Sequence, residues 1–258
     1  MPEAEEGLVS KAHPGVIQSR LFSVHPSLRF GISTRRGGLS PEPLGMNLSF
    51  SVGDDPLFVR QNRDRFFGLL KIPQDRLAVP SQVHGATVRA IMFPGRYDRC
   101  DGLVSSERDI FVAVSVADCL PVFLFDPATM TVGAVHAGWR GTRLGILSNA
   151  LTILFEDVGT GPENLLAYLG PSAGVCCYEV GEDVAEQFDP AFVRRQPGSK
   201  PHLDLKAANR AILIGAGLPD PNIEVSEYCT ICNSKLFHSY RREGAHSGRM
   251  MGVLGLTG

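Results

Sequence analysis

Three side chains stand out in the sequence as groups able to do chemistry together: His84 in SQVHG, Cys119 in VADCLP and His136 in VHAGWRG. Each sits where a strand reads as ending in a turn, and strand tips hold side chains rigidly at loops where ligands bind. Imidazole and thiolate are the donors a borderline-soft ion such as Zn²⁺ prefers. Two His and one Cys supply three ligands and leave a fourth tetrahedral position for water, the pattern of catalytic rather than structural zinc. The separations of 35 and 17 residues match no local finger pattern, so the residues alone leave other readings open. A Cys in an apolar strand also serves as a small buried hydrophobe, and a His at a strand end also serves as a hydrogen-bonding group. Cys119 as nucleophile with His136 as base is a metal-free hydrolase arrangement of the same residues.

The elements that must position these groups read as a mixture of strands and helices. Leu28 to Ser33 reads as a strand running into the Gly-pair turn of TRRGGLS. Asp55-Pro56 starts a helix, with Asp as N-cap and Pro at its first position. Val59, Phe66, Phe67 and Leu70 share one face of it, Lys71 lies in its last turn and Pro73 ends it. Thr87 to Ile91, Phe111 to Ala117, Val122 to Phe125, Thr131 to Val135, Leu165 to Leu169, Ile223 to Val225 and Arg249 to Leu254 read as strands. A helix is predicted from about Thr142, with Ile146, Leu147, Ala150, Leu151, Leu154 and Phe155 as its stripe and Gly159 closing it. Asp204 caps another that bears Leu205, Ala208, Ala211 and Ile212. Hairpin-like and helix-separated strands together predict an α+β chain with mixed sheets. Residues 1–19 read as a loose lead-in to one domain spanning 1–258.

Composition bounds the rest. The chain has 258 residues, 43% hydrophobic and 20% charged, which excludes a disordered chain or a coiled coil. Lys+Arg is 25 and Asp+Glu is 27, and this near-neutral balance argues against a nucleic-acid partner. The strongest apolar run, Ile110 to Phe125, is interrupted by Asp118 and Pro121, so no membrane span is expected. The acidic start MPEAEEGLVSK has no apolar h-region, and six cysteines in this length make no disulfide scaffold. The expectation is a cytoplasmic enzyme.

AVSVADCLPVFLF, AVHAGWRGT and YLGPSAGVCCYEVG resemble the signature segments of the YfiH-like family, also called the laccase-domain or polyphenol-oxidase-like family. STRRGGLS, GMNLSFSVGDD, VRQNRDR, SQVHGATV, LDLKAANR and CTICNSKLFHSYRREGAHSGRM extend the likeness, in order, over roughly residues 28 to 256. The resemblance implies a layered α/β/β/α fold and one zinc held by His84, Cys119 and His136. It also implies phosphorolysis of adenosine, inosine, guanosine and S-methyl-5′-thioadenosine, together with adenosine deamination. A copper polyphenol oxidase activity and a peptidoglycan-editing role are further assignments within the family.

Chemistry sorts these expectations. Phenol oxidation passes electrons through several coppers with many His ligands, and only two of the seven His lie in these motifs. A single zinc has no redox chemistry, but it acidifies a bound water to a pKa of ~7, which suits deamination at purine C6. Phosphorolysis needs a phosphate beneath ribose C1′, which calls for Arg or Gly-rich backbone. Arg35 in TRRGG and Arg140 in GWRG are the candidates, each beside glycines, with a surface or packing role as the alternative for either; Arg140 is the better placed, four residues from His136. Asn47 reads either as a ribose or base contact or as the fastener of its own turn. Asp118 reads as structural, with a supporting role behind a ligand His as the alternative. Glu179 is a candidate acid/base. Cys176 and Cys177 adjoin each other and read as packing residues. Cys229 matches the family's CT segment, and Cys232 completes a CxxC with no second pair. His238 stands where the family's FFSYRR carries Phe, which bears on local polarity.

Overall fold

The computed structural model describes residues 15–258. Its strands are β1 (Val16–Ile17), β2 (Leu28–Ser33), β3 (Leu77–Ser81), β4 (Val88–Ala90), β5 (Gly95–Asp98), β6 (Gly102–Ser105), β7 (Phe111–Val116), β8 (Leu120–Asp126), β9 (Thr131–Ala137), β10 (Leu166–Leu169), β11 (Val193–Arg194), β12 (His202–Leu203), β13 (Ile223–Val225) and β14 (Met250–Leu256). Its α-helices are α1 (Arg20–Ser23), α2 (Pro56–Leu70), α3 (Trp139–Arg143), α4 (Ile146–Thr152), α5 (Glu182–Ala185), α6 (Leu205–Gly215) and α7 (Tyr240–Glu243). One six-stranded sheet runs β1-β2-β14-β7-β3-β5 and the other β13-β10-β8-β9-β6-β4. Both are mixed: β3 is parallel to β5 and β7, β10 to β13 and β4 to β6, and the remaining pairs are antiparallel.

Side-chain alternation along the central strands builds the layers. On β8, Phe123 and Phe125 face the space between the sheets, where Val112, Val114, Leu254 and Tyr168 meet them. Leu120, Val122 and Leu124 face the other way, onto Ile146, Leu147, Ala150 and Leu151 of α4 and Leu213 of α6. On β14 and β7, Met251, Val253, Phe111 and Ala113 face Phe66, Phe67 and Leu70 of α2. The result is α/β/β/α, and the continuous apolar reading of β7 and β8 follows from burial on both faces. Fully burying one such aromatic contributes about 1.5–3 kcal/mol.

The helix stripe of α2 is borne out. Asp55 accepts from the Leu57 N–H, Pro56 opens the helix, and Val59, Phe66, Phe67 and Leu70 are buried. Lys71 lies past the last turn, as a left-handed C-cap at φ 56°. The helix expected from Thr142 divides in two. α3 begins at Trp139, Gly145 at φ 81° breaks the chain, and α4 resumes at Ile146, running into a π-helical turn over Ile153–Val158 that ends at Gly159. Of the lead-in expected over residues 1–19, residues 1–14 lie outside the described residues. Val16 and Ile17 depart from it, since they form the buried edge strand β1 against β2.

Candidate metal centre

The link Ala117-Asp118-Cys119 carries the chain from β7 in one sheet to β8 in the other. Asp118 makes the crossing at φ 85°, an unusual conformation for a residue with a side chain. Its carboxylate is fully used: the Thr230 and Ser239 hydroxyls donate to it at 2.6 and 3.0 Å, and the Arg241 N–H at 2.7 Å. Its carbonyl accepts from the Ala173 N–H at 2.8 Å. Asp118 is a fastener of loops, and its strained turn delivers Cys119 to the seam between the sheets.

His136 lies within β9, with its Cα opposite Pro121 of β8, one turn of pleat from Cys119. His84 follows β3 by three residues, at φ 58°. The Gln82 side chain ties that loop to β7, donating to the Ser115 carbonyl and accepting from the Ser115 N–H at 2.8 Å each. The donor atoms of His84, Cys119 and His136 lie within 4.8 Å of one another. The two imidazoles meet edge to face with centroids 4.9 Å apart. Gly138 leaves room for this convergence, because a Cβ there would stand 3.0 Å from Cys119 Sγ and 3.6 Å from the His84 ring.

Asp101 organises two of the three donors and was not anticipated from sequence. Its fully buried carboxylate accepts the N–H groups of Val83, His84 and Gly85 at 3.1, 2.9 and 2.8 Å, which holds the His84 turn in its left-handed conformation. His136 Nδ1 lies 2.9 Å from Asp101 Oδ1. Burial raises the Asp101 pKa, but the His136 bond and the Gly85 and Val83 N–H groups outweigh it and hold the carboxyl below its usual range. An ionised carboxylate only accepts, so Nδ1 carries the proton and Nε2 is left as the donor to a metal.

Burial alone would raise the Cys119 thiol, yet charge and hydrogen bonding from His136 and His84 bring it down to about 6. Burial opposes a charge on His136, but Cys119 and Asp101 push that imidazole up to about 9. Both shifts favour a thiolate–imidazolium pair over the neutral thiol and imidazole. His84 is exposed while His136 is buried, so the site opens to solvent on the His84 side.

The other sequence candidates lie in different surroundings. Arg140 is exposed on α3, stacked over Trp139 at 4.9 Å. Arg35 pairs with Glu243 at 2.6 Å and Glu42 at 2.9 Å, and borders a cavity of about 720 Å³ that includes none of the three donors. Asn47 is buried with every polar valence used: its amide N–H groups go to Ser49 and Asp54, and its oxygen accepts from Ser49 and Arg249. It fastens its own turn and has no free group for a ligand. A smaller cleft of about 140 Å³, also without any of the three donors in its lining, is formed by Trp139, Tyr178, Glu179, Lys200 and Arg241. Tyr178 and Arg249 are within electrostatic reach of Cys119, and neither was singled out from sequence.

His238 does not add charge. It is fully buried with neither ring nitrogen hydrogen-bonded, and burial followed by the Arg35 charge pushes its pKa down to about 3. Gly248 packs flat against the ring, where a Cβ would come within 2.6 Å. Between pH 6.5 and 3 the unfolded chain protonates this His and the folded one does not, so its contribution to stability falls as pH falls through that window. His238→Phe keeps the shape and removes two unsatisfied polar atoms. It is expected to raise stability by about 1–3 kcal/mol, with a larger gain at pH 5 than at pH 7, read by thermal melts at both.

The family model described as multi-copper polyphenol oxidoreductase laccase matches residues 29–257. The chain belongs to this family. Among its relatives, a purine nucleoside phosphorylase of Deinococcus radiodurans is 41% identical over 231 residues, 87% of each chain. Adenosine deaminase RL5, from an unknown prokaryotic organism, is 36% identical over 80% of this chain and 84% of that one. The crystal structure of YlmD from Geobacillus stearothermophilus superposes with a TM-score of 0.89 at 32% identity, over 95% of this chain and 97% of that one. The α/β/β/α layering of this family member is therefore that of a solved relative. No helix among the described residues is long and apolar enough to cross a membrane.

Proposed function

We propose that this family member is a zinc-dependent purine nucleoside phosphorylase, acting on adenosine, inosine, guanosine and S-methyl-5′-thioadenosine, that also deaminates adenosine. The observation that carries the reading is the convergence of His84, Cys119 and His136 on one solvent-facing point. Two imidazoles and a thiolate suit zinc, the Nδ1–H of His136 is already committed to Asp101, and three protein ligands leave one position open. One three-donor group of this kind makes a mononuclear site, which favours nucleoside chemistry over electron relay between coppers. When bound there, zinc supplies Lewis acidity to a water or a substrate oxygen.

The chain's own residues supply the rest. In phosphorolysis a phosphate oxygen bonds to ribose C1′ as the glycosidic C–N bond breaks, and the departing purine takes up a proton. Arg241 lines the cleft and Arg140 stacks over Trp139 at its border, two cationic heads suited to a phosphate dianion. Trp139 and Tyr178 offer aromatic faces for a purine. Glu179 is the acid/base group on the same cleft. In deamination water adds at C6 and ammonia leaves. Free thiols at all six cysteines suit a reducing cytoplasm, and the chain, 1–258, is a single catalytic domain on this reading. The test is inosine turnover by zinc-loaded protein with and without inorganic phosphate. Base release that requires phosphate and yields ribose 1-phosphate is expected, and equal release without phosphate contradicts phosphorolysis.

A second reading has its own observation. Cys119, His136 and Asp101 also line up as nucleophile, base and orienting carboxylate. Only the thiolate is alkylated, so in chelated protein the iodoacetamide labelling rate of Cys119 is expected to rise as pH passes about 6, well below the ordinary thiol range. Zinc is expected to suppress it. Peptide mass mapping reads the result, and labelling undiminished by zinc would favour the hydrolase.

A further inference from the structure

A second group of soft donors lies outside the site just described. Cys176, Cys177, Cys229 and Cys232 have their four Sγ atoms within 4.8 Å of one another. Cys177 and Cys232 stand 3.0 Å apart and Cys176 and Cys232 3.4 Å. Tetrahedral zinc with bonds of 2.3 Å places its sulfurs about 3.8 Å apart, within the span of these separations. The packing role expected for Cys176 and Cys177 does not hold, because Cys176 and Cys232 are exposed and all four thiols turn toward one another. Adjacent residues reach one point here because the chain turns at them: the N–H groups of Cys177 and Tyr178 both donate to the Gly174 carbonyl at 2.9 Å.

We propose that these four cysteines bind a second zinc ion, closed and structural, independent of the nucleoside reading. The local backbone is built for thiolate. The Gly174 N–H donates to Cys229 Sγ at 3.3 Å, and the Cys232 N–H also bonds that sulfur. Gly174 must lack a side chain, since a Cβ would stand 3.0 Å from Cys229 Cβ and 3.4 Å from the Sγ atoms of Cys176 and Cys229. Four thiolates on Zn²⁺ carry net charge −2, each thiol having released its proton. The Lys206 ammonium lies within electrostatic reach of Cys229 and Cys176, held by the Ser226 and Tyr228 carbonyls.

The position explains what the ion would do. Ser172 and Cys229 form a parallel bridge between two loops, and the Thr230 N–H donates to the Ser172 carbonyl at 2.9 Å. One loop delivers Tyr178 to the cleft. The other continues through Thr230, which bonds Asp118, toward Arg241. A four-sulfur zinc there pins both loops beside the catalytic donors.

Metal analysis of the full-length protein, purified without chelator, tests this. Two zinc ions per chain are expected. Cys176→Ser/Cys232→Ser is expected to hold one and to melt earlier, and Cys119→Ala to retain the other. Cobalt added to chelated Cys119→Ala should give intense visible bands with thiolate-to-cobalt charge transfer. Should either variant fold poorly, peptide mapping of alkylated wild-type protein decides: Cys176, Cys177 and Cys232 should be protected by zinc and modified after chelation. A single zinc lost with Cys119, a disulfide joining Cys232 to Cys176 or Cys177, or equal alkylation with and without zinc would overturn the proposal.

Discussion

Cys119→Ala is expected to lower kcat/KM for phosphorolysis by about 10³-fold, equivalent to about 4 kcal/mol of transition-state stabilisation. The effect is large because the thiolate is the only anionic donor among the three, and its loss leaves two imidazoles for a divalent ion. Fold should survive. Cys119 is only partly buried, and the turn that carries it is fixed by Asp118, whose partners Thr230, Ser239 and Arg241 are untouched. Steady-state kinetics with a matched thermal melt separate the two effects. A melt near wild type with turnover abolished is the expected pair.

Asp101→Ala is expected to act on metal affinity and stability together. Removing the carboxylate leaves three N–H groups of the His84 turn without their acceptor and frees the His136 ring. Loss of the partner of a metal-bound His lowers metal affinity by about 10–100-fold. Leaving buried donors unpaired costs on the order of 3 kcal/mol or more, which for a chain of this size lowers Tm by on the order of 10 °C. Asp101→Asn keeps one accepting oxygen and should recover part of the stability but less of the affinity. Calorimetric zinc titration and melts on both variants read the two quantities apart. If Asp101→Ala binds zinc as wild type does, the carboxylate does not position the donors.

Cys119 and His136 were legible because they sit at the ends of the apolar, buried strands β7, β8 and β9, whereas His84 follows the weakly patterned β3 and was legible from its SQVHG turn. The α2 helix was legible for a similar local reason: its cap, its proline and its stripe lie within sixteen residues of one another. What stayed hidden depends on contacts between remote segments. Asp101 lies in a short stretch with no periodicity, and its partners are 16 to 35 residues away. A buried-looking Asp between Cys100 and Gly102 was the one available clue. The short strands β5 and β6 carry no strong pattern because β5 is mostly exposed and β6 is only four residues long. Asn47 and Asp118 look alike in sequence, as small polar residues near turns, and only the count of hydrogen bonds shows both to be fully engaged. Cys177 and Cys232 are 55 residues apart, so nothing local could reveal that they meet.

The measurement closest to the central claim is a zinc titration of chelated protein, with phosphate-dependent release of base from inosine as the readout. Turnover should be at background without metal and should rise to a plateau as zinc fills the His84–Cys119–His136 site, with Cys119→Ala flat throughout. Full turnover by the chelated protein, or a zinc-dependent rise that Cys119→Ala shares, would contradict it.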